Sequence, residues 1–408
     1  MSETILHLDK HVLLCFDTPV DETLISEYNA LQLSFCGRVF HDDNIPWEAI
    51  AQDATIYFCG DLSKLSKKTA NYIGLRLRVV KELAYNQCES DTSQFIGIGQ
   101  IPVNQHNVAV YFRGVLGPEI DYFDTIRSEH TFQSLTESNK PDQSFRKGIY
   151  LSKVYNAGEE TRFNLLRCST NLGGPTLNLA STDKEILKLA NNLAKQHFSH
   201  PAAFNHVLAQ VYENTTVKSG HTFKERKARI KSHADKTKDM PRNGMIAFCT
   251  IYSSDVYNHD RSPTDLFDYQ HKKISVLTRL RFKLKESVQD KTLTSQFTVL
   301  LYPNSILIIP LSTNRLYTHE IVPPPLEIAN IPTRLGYVIR CSDTEAVFKH
   351  GKTFIMREGV EVEMDKPNED DIASLKTLYY RENTTDELVS YNDINFSLNN
   401  GDYMKPME

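Results

Sequence analysis

The sequence predicts an α+β protein: a double-stranded β-helix (jelly roll) in the second half, preceded by a smaller α/β domain. Three observations predict it. Short apolar runs bounded by Gly, Pro, Asn or Asp crowd the stretch from Ala203 to Ile355, the pattern of a two-sheet β unit. Before residue 130, apolar runs alternate with a helical pattern, the signature of an α/β unit. A polar stretch, residues 133–147, lies between the two and reads as a surface linker.

In the N-terminal domain (1–132), His11–Phe16 and Ala54–Cys59 are short apolar runs that end at Asp or Gly, as buried strands do. Ser66 to Tyr85 predicts a helix, with Tyr72, Ile73, Leu77, Val80 and Ala84 near 3.6-residue spacing. Phe95–Gly99 and Val108–Phe112 add two strands. After the linker comes the jelly-roll domain (148–358), opening with strands at Gly148–Leu151 and Phe163–Cys168. Thr182-Asp-Lys-Glu185 predicts a capping box and a helix whose Ile186, Leu189, Ala190 and Leu193 share one face. Strands are then expected over Phe204–Tyr212, Met245–Tyr252, Ser275–Lys285, Phe297–Leu301, Ser305–Pro310 and Tyr337–Arg340. The stretch 359–408 is acidic and reads as a loosely held helix with a frayed end.

Bulk properties narrow the function classes. At 408 residues, with 40% hydrophobic and 24% charged side chains, the chain has the composition of a globular protein rather than a disordered one. A net charge of −5 leaves no overall basic footprint. The seven cysteines have no CxxC or Cys/His zinc spacing, which predicts reduced thiols. The N-terminus lacks a basic-then-apolar leader, and no apolar run approaches the ~20 residues of a membrane helix. A cytoplasmic or nuclear protein, neither secreted nor membrane-bound, is the expectation.

The chemistry concentrates in three segments. His233-Ala-Asp235 places two ligand-type side chains two residues apart, on one face if the segment is extended, roughly 6–7 Å apart along the chain. A buried strand, Ile306–Ile309, is followed by Asn314-Arg-Leu-Tyr-Thr-His319. Arg334 and Arg340 flank Leu335–Ile339, and period 2 puts both on one face of a strand. Two imidazoles and one carboxylate form the facial triad of a non-haem Fe(II) site, with the opposite positions open. Inward arginines in a sheet sandwich need an anion, supplied either by a ligand or by an internal Asp or Glu.

The order His-x-Asp, strand, Asn314-Arg-Leu-x-x-His319-Glu-Ile321, then Arg334-x5-Arg340 resembles the AlkB-like branch of the Fe(II)/2-oxoglutarate-dependent dioxygenases. Gln210-Val-Tyr212 takes the place of that family's Asn-x-Tyr strand. The resemblance spans roughly Ala203 to Phe354 and leaves residues 1–130 uncovered. It implies that His233, Asp235 and His319 ligate Fe(II), and that Arg334 and Tyr212 hold the distal carboxylate of 2-oxoglutarate. Arg340 and Gln210 would hold the end that chelates iron. The implied reaction consumes O2 and 2-oxoglutarate, releases succinate and CO2, and hydroxylates a C–H bond. At an N-methyl group that amounts to demethylation. The implied substrate is a nucleic-acid base or a protein or amino-acid side chain.

Thr237 stands where base-repairing members carry an acidic residue, which speaks against base repair. A run of cations, Lys224, Arg226, Lys227, Arg229, Lys231, Lys236 and Lys238, reads either as a solvated loop or as a strip that draws in a phosphate-bearing partner. Phe223 is the one aromatic among them, so a stacking platform for single strands is not evident. Two other classes stay open: a zinc hydrolase using the same His/Asp/His site, and a non-catalytic module. His200, His206 and His221 read as core or surface histidines.

Overall fold

In the computed structural model the described residues are 4, 6–41, 45–65, 76–86, 94–137, 140–168, 172–391 and 394–408. Among the strands of the second half, eight build the jelly roll: β1 (His206–Tyr212), β2 (Ile230–His233), β3 (Met245–Tyr252), β4 (Arg279–Leu284), β5 (Gln296–Leu300), β6 (Ser305–Pro310), β7 (Tyr317–Val322) and β8 (Arg334–Arg340). One antiparallel sheet runs β1-β8-β3-β6 and the other β2-β7-β4-β5. The chain therefore crosses between sheets as a jelly roll does. Side chains of both sheets, among them Phe248, Leu307, Phe282 and Ile321, share one core.

The two sheets differ in burial for a physical reason. Strands β1, β3 and β6 are buried along their whole length, since their outer face is covered. That cover is α1 (Ser181–His197), whose Ile186, Ala190 and Ala194 pack with Ala247, Ile308 and Ile339. Strand β7 instead alternates buried and half-buried residues, as a sheet with one wet face does. Helix α1 begins at Ser181, and its cap differs from the expected box. Asp183 accepts from the Ala180 N–H at 2.7 Å and from the Tyr337 hydroxyl at 2.6 Å, while the Thr182 hydroxyl donates to Glu129.

The large sheet extends beyond the jelly roll at both edges. Lys140–Ser152 pairs with β1, and Gln133–Glu137 pairs back onto it, so the described residues of 133–147 form strands where the sequence predicts a linker. On the other edge, Ala109–Phe112 pairs with β6 and Val103–Gln105 follows, so the sheet already begins before residue 132. The N-terminal unit proper is a parallel sheet in the order Arg38–His41, His11–Phe16, Thr55–Asp61, Leu77–Tyr85, Gln94–Ile96. Leu77–Tyr85 is thus a strand and not the end of a helix. Val79 and Val80 are β-branched and fully buried beside the Thr55–Asp61 strand, and that packing overrides the helical spacing. The start of the expected helix, residues 66–75, lies outside the described residues.

The C-terminal stretch is not a frayed tail. After a strand at Val360–Glu363, helix α2 (Glu369–Thr384) buries Leu375, Tyr379 and Glu382. Further on, Met407 bridges Leu177 at the edge of the large sheet. A buried ion pair fastens this segment: Arg167 Nη2 lies 2.6 Å from Asp239 Oδ1, and Arg167 Nη1 donates to the carbonyl of Ile394 at 2.8 Å. Acidic composition marked the surface of the segment, while its sparse apolar residues decide the docking. The six described cysteines are buried and form no disulfide, and among the described residues no helix is long and apolar enough to cross a membrane.

Removing one partner of a buried pair leaves an uncompensated charge, so Arg167→Ala is expected to cost about 3–5 kcal/mol. Urea unfolding measures it. A loss below ~1 kcal/mol would show that Asp239 does not depend on this guanidinium.

Candidate metal centre

Strand β2 ends at His233, and its cross-strand partner on β7 is His319, with ring centroids 4.5 Å apart. The register shifts between Ile230 and His233, the kind of irregularity that re-aims a side chain at a sheet edge. His233 Nδ1 donates to the Lys231 carbonyl at 2.9 Å, which fixes the ring and leaves Nε2 3.5 Å from Asp235 Oδ1. His319 Nε2 is 4.0 Å from the same oxygen. One ligand atom from each of the three side chains lies within 4.8 Å of the others. His319 is held by packing, with Phe248 edge-on at 5.2 Å and Phe282 at 5.9 Å.

Asp235 reaches this cluster by a route the alternation of a strand does not supply. It lies past the end of β2, in a loop without a sheet partner. Asn314, at the end of the short helix Leu311–Leu316, grips it from both sides: Asp235 N–H donates to Asn314 Oδ1 at 2.8 Å, and Asn314 Nδ2 donates to the Asp235 carbonyl at 2.9 Å. The Asn-Arg-Leu-x-x-His segment thus delivers one ligand-type side chain and also positions another.

Protonation states suit metal binding. Burial opposes ionisation of Asp235, but the His233 hydrogen bond and the Arg340 charge overcome it and hold the carboxyl well below its usual range. Burial, reinforced by the charge of His233, pushes His319 down to about 3, so its imidazole is neutral at physiological pH. A carboxylate and a neutral imidazole are the forms a cation requires. Asp235 Oδ2 is buried with no hydrogen-bond partner, and Arg340 Nη1 stands 3.9 Å from it.

Arg334 and Arg340 both point into the barrel from β8, 4% and 2% exposed, and each leaves Nε and Nη2 without a hydrogen-bond partner. The Arg334 guanidinium carbon lies 3.7 Å from the centre of the Tyr212 ring, a cation–π stack that orients the fork. Burial works against the charge of Arg340, yet Cys168, Asp235 and Tyr150 together raise its pKa above the usual value. Between the arginines, Gly336 faces Gln210 on one side and Thr250 on the other. A Cβ there would fall 2.7 Å from Arg334 Nη1, so any larger residue obliges the guanidinium to shift. Tyr212 donates its hydroxyl to Gln210 Oε1 at 3.1 Å, and the Thr250 hydroxyl is buried without a partner. Gly336 and Thr250 carry no motif, and only the register of β8 against its neighbours reveals them.

The basic run divides in two. Lys224, Arg226, Arg229 and Lys231 are exposed around a two-stranded hairpin, Thr215–Ser219 with Thr222–Arg226, and Phe223 at its tip is 73% exposed. Lys227 donates to the Pro324 carbonyl. Lys236 is buried, and Lys238 donates to the Phe396 carbonyl beneath the C-terminal segment, so neither belongs to a cationic surface strip. Thr237 meets a carboxylate after all: its N–H donates to Glu382 of α2 at 3.0 Å. His206 is buried opposite Arg340 on the neighbouring strand.

No protein-family description matches the chain, and no curated protein does. Among solved structures it is similar to a Pseudomonas putida prolyl-4-hydroxylase at 10% identity, over 53% of this chain and 81% of that one, with a TM-score of 0.25. It is also similar to OsALKBH1 at 12% identity, over 57% of this chain and 97% of that one, with a TM-score of 0.30. Both likenesses are too distant to carry a function.

Gly336→Ala is expected to push the guanidinium off the Tyr212 ring and weaken dicarboxylate binding about 10-fold or more, through loss of a charge-assisted hydrogen bond. Calorimetric titration with 2-oxoglutarate reads it. Unchanged affinity would show that the space beside Gly336 is not where the carboxylate is met.

Proposed function

We propose that the chain is an Fe(II)- and 2-oxoglutarate-dependent dioxygenase of AlkB-like type, which hydroxylates or oxidatively demethylates a nucleic-acid base or a protein or amino-acid side chain. The observation that carries this is the pairing, in one jelly-roll interior, of a two-His, one-carboxylate cluster with two buried arginines, each of which leaves Nε and Nη2 without a hydrogen-bond partner. His233, Asp235 and His319 would hold the metal. They fit it, with one ionised carboxylate and a neutral imidazole, on elements fixed by β7 and the Asn314 clamp. When bound, iron with 2-oxoglutarate and O2 supplies the oxidising equivalents that break a substrate C–H bond.

The protein's own residues account for the rest. Arg334, stacked on Tyr212, presents N–H donors to the distal carboxylate of 2-oxoglutarate, and Thr250 offers a hydroxyl beside it. Arg340 neutralises the end of the cosubstrate nearest Asp235, and Gln210 borders the same chamber. Burial strengthens each of these contacts, because the interior excludes competing water. A dicarboxylate would meet the open donors of both arginines at once, and a monocarboxylate would leave one set unmet.

A zinc hydrolase on the same three ligands needs a carboxylate base. Glu382, which flanks the loop, is occupied by Thr237 and by the Tyr391 hydroxyl. That reading also leaves Arg334 and Arg340 without a task.

Anaerobic titration with Fe(II) and 2-oxoglutarate, followed by the visible charge-transfer absorption of the chelate, tests the proposal. The band is expected to need both additions. His319→Ala should abolish iron retention, whereas Arg334→Ala should weaken 2-oxoglutarate by roughly 10²-fold, the scale of a buried charge-assisted pair, and leave iron nearly untouched. Equal effects of the two substitutions on iron would contradict these roles. Succinate release in the presence of oligonucleotides or peptides then separates the substrate classes.

A further inference from the structure

The loop that carries Asp235 has a second support, from a part of the chain remote in sequence. Three of its backbone N–H groups are taken by side-chain oxygens: Ala234 by Asn383 Oδ1 at 2.9 Å, Asp235 by Asn314, and Thr237 by Glu382 Oε1 at 3.0 Å. Asn383 and Glu382 belong to the last turn of α2, and together with Tyr379 they lie on one helix face at spacings of three and four. The Lys236 ammonium, within the loop, donates to Asn383 Oδ1 at 2.7 Å and to the Tyr379 carbonyl at 3.1 Å. Lys285, just past β4, donates to the carbonyls of Glu382 at 2.7 Å and Thr385 at 3.1 Å. Two buried cations therefore satisfy carbonyls at the C-terminus of α2, where the helix dipole favours positive charge.

From this arrangement we infer that α2 positions the metal ligand Asp235, and that Asn383 is the positioning residue. Its single carboxamide oxygen joins the Ala234 N–H to the Lys236 ammonium, on either side of Asp235. The loop lacks a sheet partner, so without Asn383 the peptide after His233 has a donor unmet and Lys236 keeps only the Tyr379 carbonyl as its hydrogen-bond acceptor. The carboxylate then loses its fixed aim, although no group touching the metal has changed. Supports of this kind, one bond behind the ligands, set metal affinity by about 10–100-fold. The inference rests on the metal reading above, and it assigns the C-terminal segment to the site.

The test compares the full chain with Asn383→Ala and Asn383→Asp. Fe(II) affinity is read from the chelate band at saturating 2-oxoglutarate, and amide hydrogen exchange of residues 230–240 is followed without metal. Asn383→Ala is expected to bind Fe(II) about 10–100-fold more weakly, with faster exchange over 230–240 and an unchanged far-UV circular dichroism spectrum. Asn383→Asp keeps an acceptor oxygen and should recover most of the affinity, which a bulk packing role would not predict. Wild-type iron affinity in Asn383→Ala overturns the inference, whatever the exchange rates. If Asn383→Ala fails to fold, Thr237→Val carries the test, since it removes only the hydroxyl bond to Glu382. A smaller loss of iron affinity is then expected, and no loss overturns the inference. A folded wild-type chain that gives no band at all contradicts the metal reading itself, and is told apart because every variant is equally silent.

Discussion

Two guanidinium groups on one buried strand each carry a desolvation penalty of several kcal/mol unless an anion meets them, and the interior of the jelly roll is arranged around that penalty. β8 sits between β1 and β3, so neither arginine can turn to solvent. One is braced on an aromatic ring and the other faces the carboxylate of the metal cluster. A sequence that only needed a stable sandwich would place apolar residues at these positions. On the function proposed above, the arginines form one half of a charge pair that a dicarboxylate cosubstrate would complete.

The jelly roll was largely legible because its strands are short, apolar and punctuated. Ser305–Pro310 and Met245–Tyr252 fall where the sequence puts them, since strands buried on both faces read as uninterrupted apolar runs. Leu77–Tyr85 misled for the same physical reason in reverse. Its apolar residues satisfy helical and extended spacing alike, and only the neighbouring parallel strand decides between them. The polar stretch at 133–147 predicts a linker because it lacks an apolar run, whereas Gln133–Glu137 is held by pairing along one side, as an edge strand is.

At the site, residue types announced the ligands and the arginines, and topology supplied what the types do not encode. His233 and His319 being cross-strand neighbours follows from antiparallel pairing of β2 and β7, across a separation in sequence that no local pattern bridges. Asp235 was expected to face the same way as His233 by strand alternation. It does so because Asn314, and behind it the C-terminal helix, hold a loop. The sequence predicts a helix in the C-terminal segment but not its docking beside the site. Its composition is that of an exposed tail, while Glu382, Asn383 and the carbonyls of the last helical turn act through hydrogen bonds, which leave no periodic trace.

The most direct measurement is anomalous diffraction at the iron edge from crystals grown anaerobically with Fe(II) and 2-oxoglutarate. The account predicts a single strong peak bonded to Nε2 of His233, Nε2 of His319 and a carboxylate oxygen of Asp235, with the cosubstrate reaching from that ion towards Arg334. The described residues offer one other grouping of three ligand-type side chains, Glu129, His130 and Asp183. Iron found there, or no ordered iron in well-diffracting crystals, would contradict the account.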